Sequence, residues 1–435
     1  MKTKIPFLIT MLAGFCFAKA QTWTQTSAPS NSWVSVAVSA DGTTLAAAAG
    51  NIKVNGFYFQ VSTGAIYIST NSGVDWMPTT APITNWTSVA ISGDGNVLVA
   101  SYQNKNQTAE GIYCSTNSGA VWTQVNTTSG WGPAIISSMS KKLITMVPNS
   151  SYVLTSTNLG AGWNSHPNSL DQNFNHNTVI PALLTASADG SQVVAALASG
   201  NGLPSGTGNM MAITNPPDAT AYWFWSQLTN SAQTTWGAIA SSSDGSKLFA
   251  AANNGYSQNS PMYRSTNSGI SWSIAYATNF LTPWDSIASS ADGSRILAVQ
   301  AKLFGSNYSP LFLSVDGGLT WTTTTLPGVF YDESGVFFSS VNMSADGSLM
   351  AAAVNGGGIW ISRSVLPPQL KAKTRSNNMT FSWVIPSTNF ILQQSPDFLT
   401  WSYVTNKPSL NFTNLQNQVT LPMSPSNIFF RLATP

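Results

Sequence analysis

The sequence predicts an all-β fold: a seven-bladed β-propeller closed by the N-terminal strand, followed by a small β-sandwich of immunoglobulin or fibronectin type III character. Two repeats and one mismatch predict it. The pattern Ser-x-Asn/Asp-x-Gly-x-x-Trp starts at Ser69, Ser115, Ser156, Ser265 and Ser314. A second element, Trp-x-x-(apolar)-Ala-x-Ser-x-Asp-Gly, recurs about every 50 residues, the length of a four-stranded blade. The last unit stops at 358–362 without its Trp-initiated outer strand, and a matching strand stands alone near the N-terminus.

Residues 1–20 are expected to lie outside this fold. Lys2 and Lys4 precede an apolar run from Ile5 to Phe17 and then Ala18-Lys19-Ala20, the order of a secretory signal cleaved after Ala20. The mature chain is therefore expected to be secreted, periplasmic or at the cell surface. No later stretch approaches about 20 apolar residues, so no membrane span is expected.

The ring is expected to occupy residues 21–364. Trp23-Thr-Gln-Thr26 matches the strands that follow the hairpins, such as Trp122-Thr-Gln-Val125, and is predicted to pair beside residues 358–364. That pairing would remove the open edges of an incomplete ring. Asp-Gly turns are expected at Asp41, Asp94, Asp189, Asp244, Asp292 and Asp346, with a worn copy between Trp131 and Met146 in which Met139 takes the Asp register. In the hairpins, Asn71, Asn117, Asn158, Asn267 and Asp316 can turn back onto backbone N–H groups. Gly73, Gly119, Gly160, Gly269 and Gly318 can take a positive φ. Trp76, Trp122, Trp163, Trp272 and Trp321 each offer an apolar face to bury between sheets. All fifteen are assigned structural roles.

After a linker at 365–368, residues 369–435 switch to short alternating strands at 379–384, 390–395, 401–404, 418–422 and 428–432, which suit a small sandwich. The segment Ser395-Pro-Asp-Phe-Leu-Thr-Trp401 echoes the hairpin pattern, one residue short and without its Gly.

The hairpin pattern resembles the Asp-box, or BNR, repeat of sialidases, xyloglucanases, the sortilin ectodomain and the assembly-factor propellers of photosystem II. The resemblance covers residues 22–364 and implies the propeller fold; the class includes hydrolases and pure binding scaffolds. The end of the chain, Phe429-Phe-Arg-Leu432, is similar to terminal modules of many exported bacterial proteins, which implies an accessory role in adhesion or surface retention.

Composition narrows function. Only 7% of residues are charged and the net charge is +2, so no nucleic-acid partner is expected. Cys114 is the one cysteine left after signal removal, so no disulfide framework is expected, and its strand register suggests a packing residue rather than a nucleophile. His166 and His176 lie ten residues apart, and nothing has metal-ligand or phosphate-loop spacing; no metal or cofactor is expected.

The resemblance implies for sialidases an arginine triad and an Arg-Ile-Pro motif. The ring holds Arg264, Arg295 and Arg363, all expected near the hairpin rim, and no Arg-Ile-Pro, so sialidase activity is not expected. A glycosidase would need two facing carboxylates; with turn residues set aside Glu110, Asp171, Asp218, Asp285, Asp332 and Glu333 remain, and Asp171, Asp285, Asp332 and Glu333, in segments leading from an outer strand to the next inner one, are the candidates. Trp33, Trp86, Trp131, Trp236 and Trp284 each precede the Asp-Gly register by eight residues, with Pro181 and Phe338 in the same place in other units. They form either an aromatic crown at the channel mouth that stacks on a ligand or a repeated packing layer between blades. The reading that follows is a secreted, monomeric, non-catalytic binding or adhesion protein for a glycan or a protein, on the face opposite the hairpins, with a polysaccharide hydrolase as the alternative.

Overall fold

The computed structural model describes residues 21–433 except 51, 55–56, 61–62, 104–109, 127–131, 140, 147–152, 167–178, 200–209, 215–225, 229–235, 255–258, 278–282, 301–309, 328–336, 365–369, 385–389, 412–414 and 425–427. The signal segment 1–20 and the linker 365–368 lie outside the described residues.

Among the described residues, seven four-stranded antiparallel sheets follow one another between residues 23 and 363. The first shows the pattern: Trp33–Val38 is innermost, then Leu45–Ala49, Ile66–Ser69 and the outer Met77–Pro78. Its second strand, LAAAA, is wholly buried, as are Leu248–Ala252 and Ile296–Gln300 in later sheets. Small side chains sit there because each second strand is covered on both faces by neighbouring sheets.

The sheets close into a ring through the Asp-Gly turns. The Ala40 amide donates to Gly93 (2.9 Å), Gly93 to Ser138 (2.8 Å), and Met139 to Ala188 (2.8 Å). Ala188 then donates to Ser243 (2.7 Å), Ser243 to Ala291 (2.8 Å), Ala291 to Ala345 (2.7 Å), and Ala345 back to Ala40 (2.8 Å). At the worn third copy the donor slips one residue along, onto Met139. In the intact turns, serine and aspartate brace the backbone: Ser39 Oγ donates to Asp41 (2.6 Å), the Thr43 amide donates to Asp41 (3.0 Å), and the Thr44 amide donates to Ser39 Oγ (3.0 Å).

The ring's last sheet takes its outer strand from the N-terminus. Trp23 faces Ser362, Thr24 faces Ile361 and Gln25 faces Trp360. Trp23 itself is buried among residues of the last two sheets.

The five hairpins fold as one motif. In the second sheet, Ser115 Oγ donates to Asn117 Oδ1 (3.0 Å) and accepts the Gly119 amide (2.9 Å), while Asn117 Oδ1 also accepts the Val121 amide (2.8 Å). The asparagine therefore bonds four residues ahead. The glycine is at φ +83°, and Ser118 before it is also left-handed at +54°. Two closing tryptophans bond to the preceding unit, Trp163 Nε1 donating to Val125 (3.1 Å) and Trp321 Nε1 to Ala275 (3.1 Å), while Trp122 and Trp272 donate within their own hairpins. Gly160 is the tightest case, at φ +90° with an added Cβ only 2.4 Å from the Val125 side chain. Gly160→Ala is expected to cost about 2 kcal/mol or more, from backbone strain and overpacking together, read as a lower urea midpoint.

Two features are absent from the sequence reading. Within the loop after the second strand, Ile52–Val54 pairs with Phe57–Gln60 as an extra hairpin. In the C-terminal segment, Lys371–Arg375, largely exposed, and Ser409–Asn411, mostly half-buried, are additional edge strands that lack alternating hydrophobicity. A four-stranded and a three-stranded sheet there share a core of Met379, Phe381, Trp383, Leu392 and Val419.

Candidate functional site: the channel mouth

The site is built where the innermost strands begin. Six of them carry a β-bulge at the same register, between Trp33/Ser35, Trp86/Ser88, Pro181/Leu183, Trp236/Ala238, Trp284/Ser286 and Phe338/Ser340. The extra residue is Val34, Thr87, Ala182, Gly237, Asp285 or Ser339. A bulge twists a strand and re-aims one side chain. Each Asp-Gly turn follows the far end of its inner strand, so the bulges lie toward the opposite face, about 20 Å away for a six-residue strand.

The aromatic residues next to the bulges are packing residues, which corrects the crown. Trp33, Trp86, Trp284 and Phe338 have no exposed surface and Trp236 has 3%. Their rings meet others inside the sheets: Trp33 lies edge-on to Tyr67 (5.4 Å), Trp86 tilts against Trp122 (6.4 Å), Trp236 against Trp272 (6.5 Å), and Trp284 meets Phe312 (4.9 Å). Inner strands run beside the channel, so an ordinary strand side chain points at a neighbouring sheet. Trp131 lies outside the described residues.

Of the carboxylate candidates, Asp285 alone is described; Asp171, Asp332 and Glu333 lie outside the described residues. Asp285 occupies a bulge and is half-buried. Burial pushes its carboxyl up to about 7, and no described residue bonds or pairs with it. At the same register, Thr87 Oγ1 donates to the Ser101 carbonyl (3.1 Å) and Ser339 Oγ to the Ala353 carbonyl (3.3 Å). The corresponding carbonyl for Asp285 is Val299, opposite Ser286.

The remaining described aspartates are bound into turns. Burial alone would raise Asp189 and Asp244, but serine hydroxyls and backbone amides outweigh it and hold both below the usual range. Asp94 is held low in the same way, with Lys141 2.9 Å away. Asp75 and Asp316 belong to hairpins. The three arginines also serve turns: Arg264 donates to Gly317 (3.0 Å), Arg295 to Gly347 (3.0 Å), and Arg363 to Ser72. Burial pushes the Cys114 thiol up to about 11, which keeps it protonated and unreactive at neutral pH.

The other end of the channel is stoppered. Ala40, Ala188, Ala291 and Ala345 of the Asp-Gly turns form one apolar cluster with Met139 and with Val384 and Leu415 of the C-terminal sheets. Leu415 is left-handed at φ +53° and 4% exposed, a strained backbone held by the side chain it seats in the ring. Lys371 pairs with Asp292 (3.6 Å) at the same contact.

No family model matches the chain, and no curated protein matches it. Among solved structures it is similar to the Cps50 (Swd1) β-propeller domain of Myceliophteria thermophila, at 14% identity over 79% of this chain and 100% of that one, with a TM-score of 0.56. The fold is a β-propeller. The propeller is also similar to the hydrazine synthase of Kuenenia stuttgartiensis, at 13% identity over 81% of this chain and 100% of that one, TM-score 0.53. A GH74 enzyme of Niastella koreensis aligns at 13% identity over 93% of this chain and 84% of that one, TM-score 0.43.

The bulge register of the propeller therefore carries half-buried Thr87, Gly237, Asp285 and Ser339, while Val34 packs against the core of the second sheet. Sequence reasoning found Asp285 but missed its neighbours. Their signal is the residue after each inner-strand aromatic, which is small, polar or both in most units. These positions offer the Thr87 and Ser339 hydroxyls and the Asp285 carboxyl, which burial pushes up to about 7. Among the described residues, no group of three His, Cys, Asp or Glu comes together and no helix is long and apolar enough to cross a membrane.

Proposed function

We propose that the chain is an exported, monomeric seven-bladed propeller of Asp-box repeats at residues 21–364, with an immunoglobulin- or fibronectin-type-III-like module at 369–435. Its function is non-catalytic binding of a glycan or protein at the channel mouth, on the face away from the hairpins. The observation that carries this reading is the apolar stopper of Val384 and Leu415 in the Asp-Gly ring. With that end filled, a ligand using the channel approaches from the bulge face. Among the described residues the bulge register supplies one carboxyl, Asp285, beside the Thr87 and Ser339 hydroxyls, which suits neutral hydrogen-bonding groups.

One observation favours the hydrolase alternative. A carboxyl titrating near 7 suits a general acid, and Asp285 has that property. A glycosidase also needs a second carboxylate within about 10 Å. A glycan array probed with the mature full chain, followed by incubation with each hit, separates the readings. Binding without new reducing ends supports the binding protein; reducing ends that vanish in Asp285→Asn establish the hydrolase instead.

A further inference from the structure

The hairpin at 395–401 in the C-terminal sheets repeats the ring hairpins with one residue fewer. Ser395 Oγ donates to Asp397 (3.0 Å), and the amides of Leu399 and Thr400 donate to the same carboxylate (2.9 and 2.8 Å). Trp401 Nε1 donates to the Phe398 carbonyl (3.0 Å), as Trp122 and Trp272 do to Gly119 and Gly269 (3.1 and 3.0 Å). Counted from the serine, Phe398 takes the left-handed register of Ser118 and Leu159, and the glycine that follows them in the ring hairpins is missing. Phe398 sits at φ +65°, a left-handed backbone that bulky residues avoid.

Phe398 gains little burial there. It is 46% exposed and stacks on Phe429, with centroids 3.5 Å apart and planes 28° apart. Beside this pair the Arg431 guanidinium lies 4.1 Å from the Trp401 ring. Its Nε donates to Gln393 (2.9 Å), and its terminal nitrogens make no hydrogen bond among the described residues. Tyr403 is 54% exposed. Register places these groups together: Gln393 is opposite both Tyr403 and Arg431, and Ser395 is opposite Phe429. The alternate residues Leu392, Phe430 and Leu432 face the core.

Among the described residues, the strip lies toward the end of the sheets away from the ring contact. Met379, Gln394 and Pro422 line one pocket at the hairpin end, whereas Val384, which touches the ring, is at the opposite end of the same strand as Met379. Charge points to the ligand's sign. Residues 370–435 carry Lys373, Arg375, Lys407 and Arg431, besides Lys371 paired with Asp292, against Asp397 alone, and Asp397 is spent on its hairpin.

We propose that this strip binds an acidic polysaccharide, with sugar faces on Phe398, Phe429 and Tyr403 and a uronate carboxylate on Arg431. Apolar sugar faces suit flat aromatic rings, and a guanidinium fork matches a carboxylate in two-point contact. Strain kept at an exposed aromatic is the kind of local cost found at binding sites. The site is independent of the channel mouth.

Affinity electrophoresis of the mature full chain through gels containing polygalacturonate, with neutral dextran gels in parallel, tests it. Retardation is expected in polygalacturonate and not in dextran. Arg431→Gln and Phe398→Gly should each weaken binding about tenfold or more, as loss of a central contact does. Phe398→Gly should also leave the melting temperature unchanged or higher, because glycine suits this backbone. No retardation of the wild-type chain, equal retardation in dextran, or wild-type retardation of both variants overturns the proposal. A lowered melting temperature in Phe398→Gly would make Phe398 a folding residue and overturn it as well.

Discussion

Deleting Trp23–Thr26 is expected to destabilise the ring by about 4 kcal/mol or more, the scale of losing a buried tryptophan with its strand contacts. Trp23 is 5% exposed, in a cluster spanning the last two sheets. The deletion also removes pairing along Ser362, Ile361 and Trp360, and the bond from Thr26 to Ile359 (2.9 Å). What remains is an uncovered edge on Ile359–Arg363, a strand whose side chains are mostly buried. Such an edge pairs with other chains, so the shortened protein should melt earlier and aggregate. An unchanged melting temperature would show that the ring does not depend on its N-terminal strand.

The second large effect is on pH. Asp285 has its folded-state pKa near 7, above the ordinary 3.8 that it recovers on unfolding. Between these values the folded chain holds a proton that the unfolded chain releases, so this group's contribution to stability is fully present below about pH 4 and is lost as pH rises through 7. Asp285→Asn removes that dependence. It is expected to stabilise the chain by about 2 kcal/mol at pH 8, less than the whole shift implies because the side chain keeps some contact with water. Near pH 4 it should change little. The turn aspartates have the opposite sign, with pKa values below the usual range, and their contribution is lost only in stronger acid. Denaturation curves at pH 4, 6 and 8 read both signs; parallel curves for wild type and Asp285→Asn would contradict the buried-acid assignment.

Much of the fold was legible because its repeats are local chemistry. Ser, Asp and Gly close the inner turns, and Ser, Asn, Gly and Trp close the hairpins, each within eight residues. The partner of Trp23 was legible because a missing strand and a spare strand had the same sequence. The channel mouth was less so. A bulge leaves no fixed residue type behind, and Val34, Thr87, Gly237, Asp285 and Ser339 share only a position. The tryptophans beside them drew attention for their size, yet size at that register serves the blade interior. The stopper was not legible, because Leu415 and Ala40 are distant in sequence and neither carries a motif.

Ligand binding at the mouth, away from the hairpins, is the proposal that distinguishes the two faces of the ring. The dissociation constant of a glycan-array hit, measured by calorimetry for the wild type, Ser339→Trp and Ile270→Asp, tests it most directly. Ser339 is on the half-buried mouth rim, and Ile270 is 68% exposed at a hairpin tip. Ser339→Trp is predicted to weaken binding about tenfold or more by filling the mouth, with Ile270→Asp binding as the wild type does. Loss of binding in Ile270→Asp with Ser339→Trp unaffected would place the ligand on the hairpin face and contradict the account.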